Sequence, residues 1–425
     1  MWGFKVSGRA LQLGKRCAAP KRLPEAEVAK CINQNCPDRM NKHSSIGAAV
    51  AEYRPRSCYL VKGNMCLRAA RTLTALLLLL MLTLTAEAKD MSHLYSTQEL
   101  ETWHYILEPQ TQRNFEILLS QGLDEKEKQL ASGVRLEMPL RGRHNDLIEF
   151  YAYGKTVAVP VLSLKFLHDI LLANAWLYLH KFDPRTVDEY LSMLKYNEAA
   201  DFPNGRYPRP LDALGIPEEA RIVPPSDPVF ENAFIGTMLV TSGFIMAHEL
   251  GHVVLGHTAH RATTLKGRLR EEQDADAFAL RALSRIRPDV DGMMMFFTLT
   301  SAWAFVITDF PSREAYEQYL ARDADHPLTG ERIRALGREV YNNPRQFLFR
   351  EELWGEMRDV ERPTPENIAR RQRFGTRIIK LGDLVDDEAY QRALAIRGIG
   401  TSLDRLKPRP LDAPLPPTPR PGASR

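Results

Sequence analysis

The residues with the clearest chemical potential lie together at Ala247-His248-Glu249-Leu250-Gly251-His252, an HExxH pattern inside a stretch that reads as a helix. Side chains at i and i+4 stack on one helix face, so His248 and His252 can converge on one metal ion while Glu249 points toward a water on that metal. The chemistry such a set supports is hydrolysis. Zinc acidifies the water and polarises a carbonyl, and the glutamate takes the proton and delivers it to the leaving amine. Taken alone the pattern arises by chance in about one chain in a hundred, and two histidines on a polar surface would explain it. The flanks argue otherwise: Phe244-Ile245-Met246-Ala247 and Val253-Val254-Leu255 are apolar, so the helix is largely buried, where unpaired histidine and glutamate are costly.

Catalytic zinc keeps three protein ligands and one open position. The extended pattern HExxHxxGxxH is absent, because its glycine and third histidine positions hold Leu255 and Thr258. His257 falls about half a turn from the metal face and reads as a structural or supporting residue. Further on, Glu272 and Asp276 stand four apart on one face of a second helix, where Ala275, Ala277 and Ala279 permit close approach to the first. Glu272 can complete a site for one zinc ion per chain, and Asp276 can accept the free N–H of a ligating histidine, fixing its tautomer. An acidic helix start would explain the same residues without a metal. The HExxH upstream decides for the ligand reading.

These segments, with Asp325-His326-Pro327-Leu328-Thr329-Gly330-Glu331-Arg332-Ile333-Arg334, closely resemble the gluzincin metallopeptidases of the HtpX and CAAX-prenyl-endopeptidase group. The likeness covers 230–336. It implies that His248, His252 and Glu272 bind zinc, that Glu249 is the general base, and that His326 lies near the open coordination position; ahead of Pro327, His326 reads equally well as a residue that starts a helix. A zinc peptidase of the phage-exclusion type is a second resemblance, with a similar HExxH and acidic helix. Membrane-embedded relatives carry several spanning helices and some soluble ones carry helical repeats; this sequence is expected to hold neither after residue 88. Residues 89–228 match nothing recognisable, which leaves substrate choice open.

The elements that must position these residues follow from periodicity. Helical spacing runs over 99–130 around Pro109, over 162–194 with a break at Asp183-Pro184, and over about 231–257 and 270–286. An apolar helix at 293–308 is expected in the core, being short for a bilayer. Between them, 147–160 is rich in β-branched and aromatic residues around Gly154-Lys155 and predicts a β-hairpin. Seven prolines in 201–228 suggest a long functional loop that could cover the cleft, and 406–425 is a proline-rich, disordered tail. The fold class expected is mainly α with a small β-sheet, a zincin-type catalytic domain filling 89–405.

Arg68-Ala69-Ala70-Arg71, the apolar run 73–84 and Thr85-Ala86-Glu87-Ala88 have the three parts of a cleaved signal peptide, 65–88. Translation is expected to start at Met65, leaving 1–64 as a non-native upstream extension. The five cysteines all precede residue 67, which removes thiolate chemistry from the exported chain. Residues 89–425 carry 43 Lys+Arg against 48 Asp+Glu, an acidic balance with no grip on a phosphate backbone, so nucleic acid is excluded as a partner.

The reading is a zinc-dependent endopeptidase, periplasmic or secreted, cutting protein or peptide substrates, with envelope-associated proteins as further partners. An extended substrate would pair with an edge strand of the hairpin. The alternatives are a zinc-containing binding or chaperone-like protein without turnover, and a different zinc hydrolase on the same helices.

Overall fold

A computed structural model describes residues 89–222, 228–286, 291–348, 363–400 and 403–411, all within one compact unit, Ala88–Arg425. The segment 65–88 expected to be a signal peptide and the five cysteines lie outside the described residues. In chain order the elements are α1 (Thr97–Ile117), α2 (Glu125–Leu130), β1 (Arg135–Glu137), β2 (Tyr151–Tyr153), β3 (Thr156–Ala158), α3 (Val161–Leu179), α4 (Arg185–Tyr196), and the short α5 (Pro210–Ala213) and α6 (Glu219–Ile222). They continue with α7 (Pro228–Val254), α8 (Leu265–Ile286), α9 (Asp291–Trp303), α10 (Arg313–Arg322), α11 (Gly330–Asn342), α12 (Pro365–Asp386) and α13 (Glu388–Gly400). The fold is mainly α with one small sheet.

The expected helices are present. Pro109, however, does not divide the first one: α1 runs through it, capped by Ser96, and passes into a single π-helical turn at Leu118–Gly122. Proline removes one backbone donor and crowds the preceding turn, and here it sits on an exposed face.

The sheet has the order β1-β3-β2, with β1 parallel and β2 antiparallel to β3. The hairpin is therefore as expected, but its second strand is the centre of the sheet, and Val157 within it is fully buried. Of the two hairpin strands, the one at an edge of the sheet is β2.

The proline-rich segment is folded rather than a free loop. Pro210 starts α5, which packs on α3; Phe202, Leu211, Leu214, Ile216 and Ala220 are buried; and Arg221 pairs with Asp212 at 2.5 Å. Residues 223–227 lie outside the described residues. Of the expected disordered tail, residues 406–411 are folded, and 412–425 lie outside the described residues. Leu406 is fully buried, Pro410 bridges to Phe182, and Arg409 pairs with Glu189 (2.9 Å) and Asp183 (3.1 Å).

Among the described residues two stretches are long and apolar enough to cross a membrane, Phe234–Val254 and Gly292–Asp309, each with a mean hydropathy of 1.2. That corrects the expectation that the 293–308 helix is short for a bilayer. The first is 67% buried within the fold, as a core helix would be; the second is 33% buried, so α9 is only in part the core helix expected, through Met293, Phe297, Leu299 and Ala302.

Candidate metal centre

Helix α7 supplies the first two histidines. Ala247 and Leu250 are fully buried, and the burial continues to His248 and Glu249, so the helix carries its polar motif into the core. Helix α8 crosses it at Gly251. A Cβ there would stand 3.1 Å from Phe278 and 3.2 Å from the Ala275 Cα, so the absence of a side chain lets the two helices touch through their backbones. That approach brings Glu272 to the histidine pair.

The resulting triangle is tight. His248 Nε2 and His252 Nε2 are 3.1 Å apart, and Glu272 presents Oε2 to the first and Oε1 to the second, each at 3.4 Å. Ligand atoms about 2.0–2.1 Å from a tetrahedral zinc are separated by roughly 3.3 Å, so the two imidazole nitrogens and either oxygen of this carboxylate fit such an ion. His326, delivered by the loop before α11, joins them: the four side chains offer ligand atoms that all lie within 4.8 Å of one another. Glu249 Oε2 is buried and has no hydrogen-bond partner among the described residues, an uncompensated acceptor that a water at the metal would satisfy.

Asp276 stands behind His248, its Oδ1 2.8 Å from Nδ1, near enough for charge contact although out of line for a hydrogen bond. His257 Nδ1 lies 3.0 Å from His252 Nδ1, so each metal-facing ring has a partner at its far nitrogen. His326 points Nδ1 at Glu272 (3.2 Å) and Nε2 at the Phe150 carbonyl oxygen (3.0 Å) and Glu249 Oε1 (3.4 Å). It is a member of the cluster, not only a residue that starts a helix.

One participant stands in the sequence reading only within the quoted Asp325–Arg334 segment, with no role assigned to it. Arg332, on the first turn of α11, is 3% exposed; it donates to Asp276 through Nε (2.5 Å) and a terminal nitrogen (2.8 Å), and it meets Glu272 at 2.8 Å. Two buried carboxylates are thereby paired with one guanidinium, the bidentate geometry that arginine supplies and lysine does not. Its only trace in the sequence is its place six residues after His326.

The charges sort accordingly. Burial alone would raise the Glu272 carboxyl, but His326, Arg332 and His252 hold it well below its ordinary value, and Arg332 does the same for Asp276. Burial pushes Glu249 up, against the pull of His326 and His248. Burial drives His252 well down, keeping a ring nitrogen free to bind metal. Burial also opposes a charge on His326, yet Glu249 and Glu272 outweigh it and push the imidazole up to about 10. A bound divalent cation would reverse that last balance.

The sheet lies against this site. Thr258 donates to the Gly154 carbonyl (2.9 Å), tying the hairpin turn to the chain leaving α7. Because the Phe150 carbonyl faces His326 and backbone groups alternate along a strand, Ala152 presents its N–H and C=O on the same outer edge.

Comparison with known proteins agrees at the level of class. Residues 212–349, which hold every member of the cluster, match the model of a peptidase family, Peptidase U49. No curated protein and no solved structure matches the chain. The resemblance to the HtpX and CAAX-prenyl-endopeptidase group is not what this match returns; what stands is a peptidase-family domain with a His/Glu cluster able to hold a metal ion.

Proposed function

We propose that the protein is a zinc-dependent endopeptidase, with His248, His252 and Glu272 holding one zinc ion and Glu249 as the general base. The observation that carries the reading is the 3.1, 3.4 and 3.4 Å triangle of ligand atoms with the unpartnered Glu249 Oε2 beside it. When bound, the ion would acidify a water and polarise a peptide carbonyl. Glu249 takes the proton of the attacking water on a carboxylate oxygen and passes it to the leaving amine. Its burial favours the protonated form it must adopt midway, which suits it to both halves of the transfer. His326, whose Nε2 faces the Phe150 carbonyl at 3.0 Å, would have to exchange that partner to donate to the carbonyl oxygen of the substrate, and an extended peptide pairs with the edge of β2 at Ala152. Export through the segment 65–88 and action on periplasmic or envelope proteins belong to the same proposal.

One observation favours a second reading. With His326 in the cluster, four donors surround the ion position, and a closed set of that kind suits a zinc-stabilised binding protein without turnover. The test is zinc content and cleavage of unfolded casein for the parent protein and Glu249→Gln. About one zinc in both, with cleavage reduced on the order of 10²–10⁴-fold in the variant, is the expected result. Zinc in both and cleavage in neither would favour the binding protein.

A further inference from the structure

A second concave site lies far along the same two helices. It is an open cleft of about 880 Å³ between the C-terminal half of α8, the end of α11 and the start of α12, with Gln121 at one wall. Its position is fixed relative to the metal centre: Arg281 is nine residues beyond Glu272 on α8 and Asn342 ten beyond Arg332 on α11, about 14–15 Å along each axis.

The lining is one-sided in charge. Arg281, Arg285 and Arg345 contribute guanidinium groups, and among the described lining residues there is no carboxylate. Arg285 is held rigidly, donating to the Gly122 carbonyl (2.9 Å) and Glu127 (2.5 Å). Arg281 reaches Glu127 only at 4.0 Å, and the exposed Arg345 makes no ion pair among the described residues. Five side-chain amides, including Gln121, Asn342 and Gln372, fill much of the remainder, and among the described lining residues there is no aromatic ring.

We infer that this cleft binds an acidic segment of a polypeptide. Arginine forks match carboxylates, and amides, each both donor and acceptor, match the N–H and C=O of a peptide backbone. A volume of this size takes several residues. A nucleotide would leave its base without a ring to stack on. The inference concerns binding and does not depend on turnover.

The test uses the full chain bearing Glu249→Gln, so that no probe is cut, and a fluorescein-labelled decaglutamate peptide, with decaglutamine as its neutral counterpart. Binding of decaglutamate at least about tenfold tighter than decaglutamine is expected, weakening with salt. Arg281→Ser with Arg345→Ser should reduce it at least about tenfold; Arg345→Glu, a change at an exposed side chain with no ion pair to lose, should do so without disturbing packing. Equal binding of both peptides, or binding within twofold of the parent in both variants, overturns the proposal. Tripolyphosphate that outcompetes decaglutamate through the same arginines overturns the peptide class in favour of a phosphate ligand.

Discussion

At the scale of single residues, the centre is a buried charge ledger held by Arg332. Glu272 and Asp276 are 3% and 1% exposed, and the guanidinium is the cation both share. Arg332→Met would leave two buried carboxylates short of a partner, a defect costing about 3–5 kcal/mol. Urea unfolding of the metal-free protein should show that loss, and Arg332→Lys should recover only part of it; stability unchanged in the Met variant would remove Arg332 from the account. The histidine pair was legible because i and i+4 are neighbours by helix geometry alone. Glu272 needed the assumption that two helices cross where small residues allow it, and Gly251 against Ala275 is where they do. Arg332 stood within the quoted Asp325–Arg334 segment, but its role was not legible, since its contact with Asp276 spans 56 positions and leaves no local pattern.

Among the elements, the sheet decides how a substrate could lie. The hairpin was readable from its composition, but its partner β1 is only three residues long, too short to mark itself in sequence, and its parallel pairing moves β3 from the edge to the centre. A proline at Val157 would thus break the sheet rather than probe an edge. Ala152→Pro is the informative change. It removes one outward donor from β2, and casein cleavage should fall by about tenfold or more with zinc content intact, whereas unaltered cleavage would exclude this strand from substrate binding. The prolines of 201–228 misled for a related reason: proline marks the first turn of a helix as readily as a loop, and Pro210 does so here. Helices α11 and α12 meet at Gly337 and Gly375, where an added Cβ on either would come within 2.7–2.9 Å of the other helix. That contact fixes the helix on which Arg332 is mounted.

For the molecule as a whole, the fold class was legible because helical periodicity dominates the chain, and the closure of its ends was not. Arg409 returns from the far end of the described chain to Asp183 and Glu189, which are 1% and 5% exposed. Arg409→Ala should lower stability by about 3 kcal/mol in chemical unfolding, the cost of leaving the buried Glu189 carboxylate unpaired, while Asp183 keeps Arg185 at 2.8 Å. An unshifted midpoint would mean that the end of the chain is not part of the cooperative unit. Proline-rich composition hid this, because two ion pairs and a β-bridge 220-odd positions apart have no signature in a local window.

The contact of Arg332 with Asp276 and Glu272 also sets a clock. The HExxH helix leaves the ribosome roughly 80 residues before Arg332 does. At about 5–20 residues per second the interval is on the order of 4–16 s, during which the carboxylates of the centre lack the guanidinium that pairs them. A chain still under synthesis therefore carries His248, Glu249 and His252 without the geometry that the completed centre gives them.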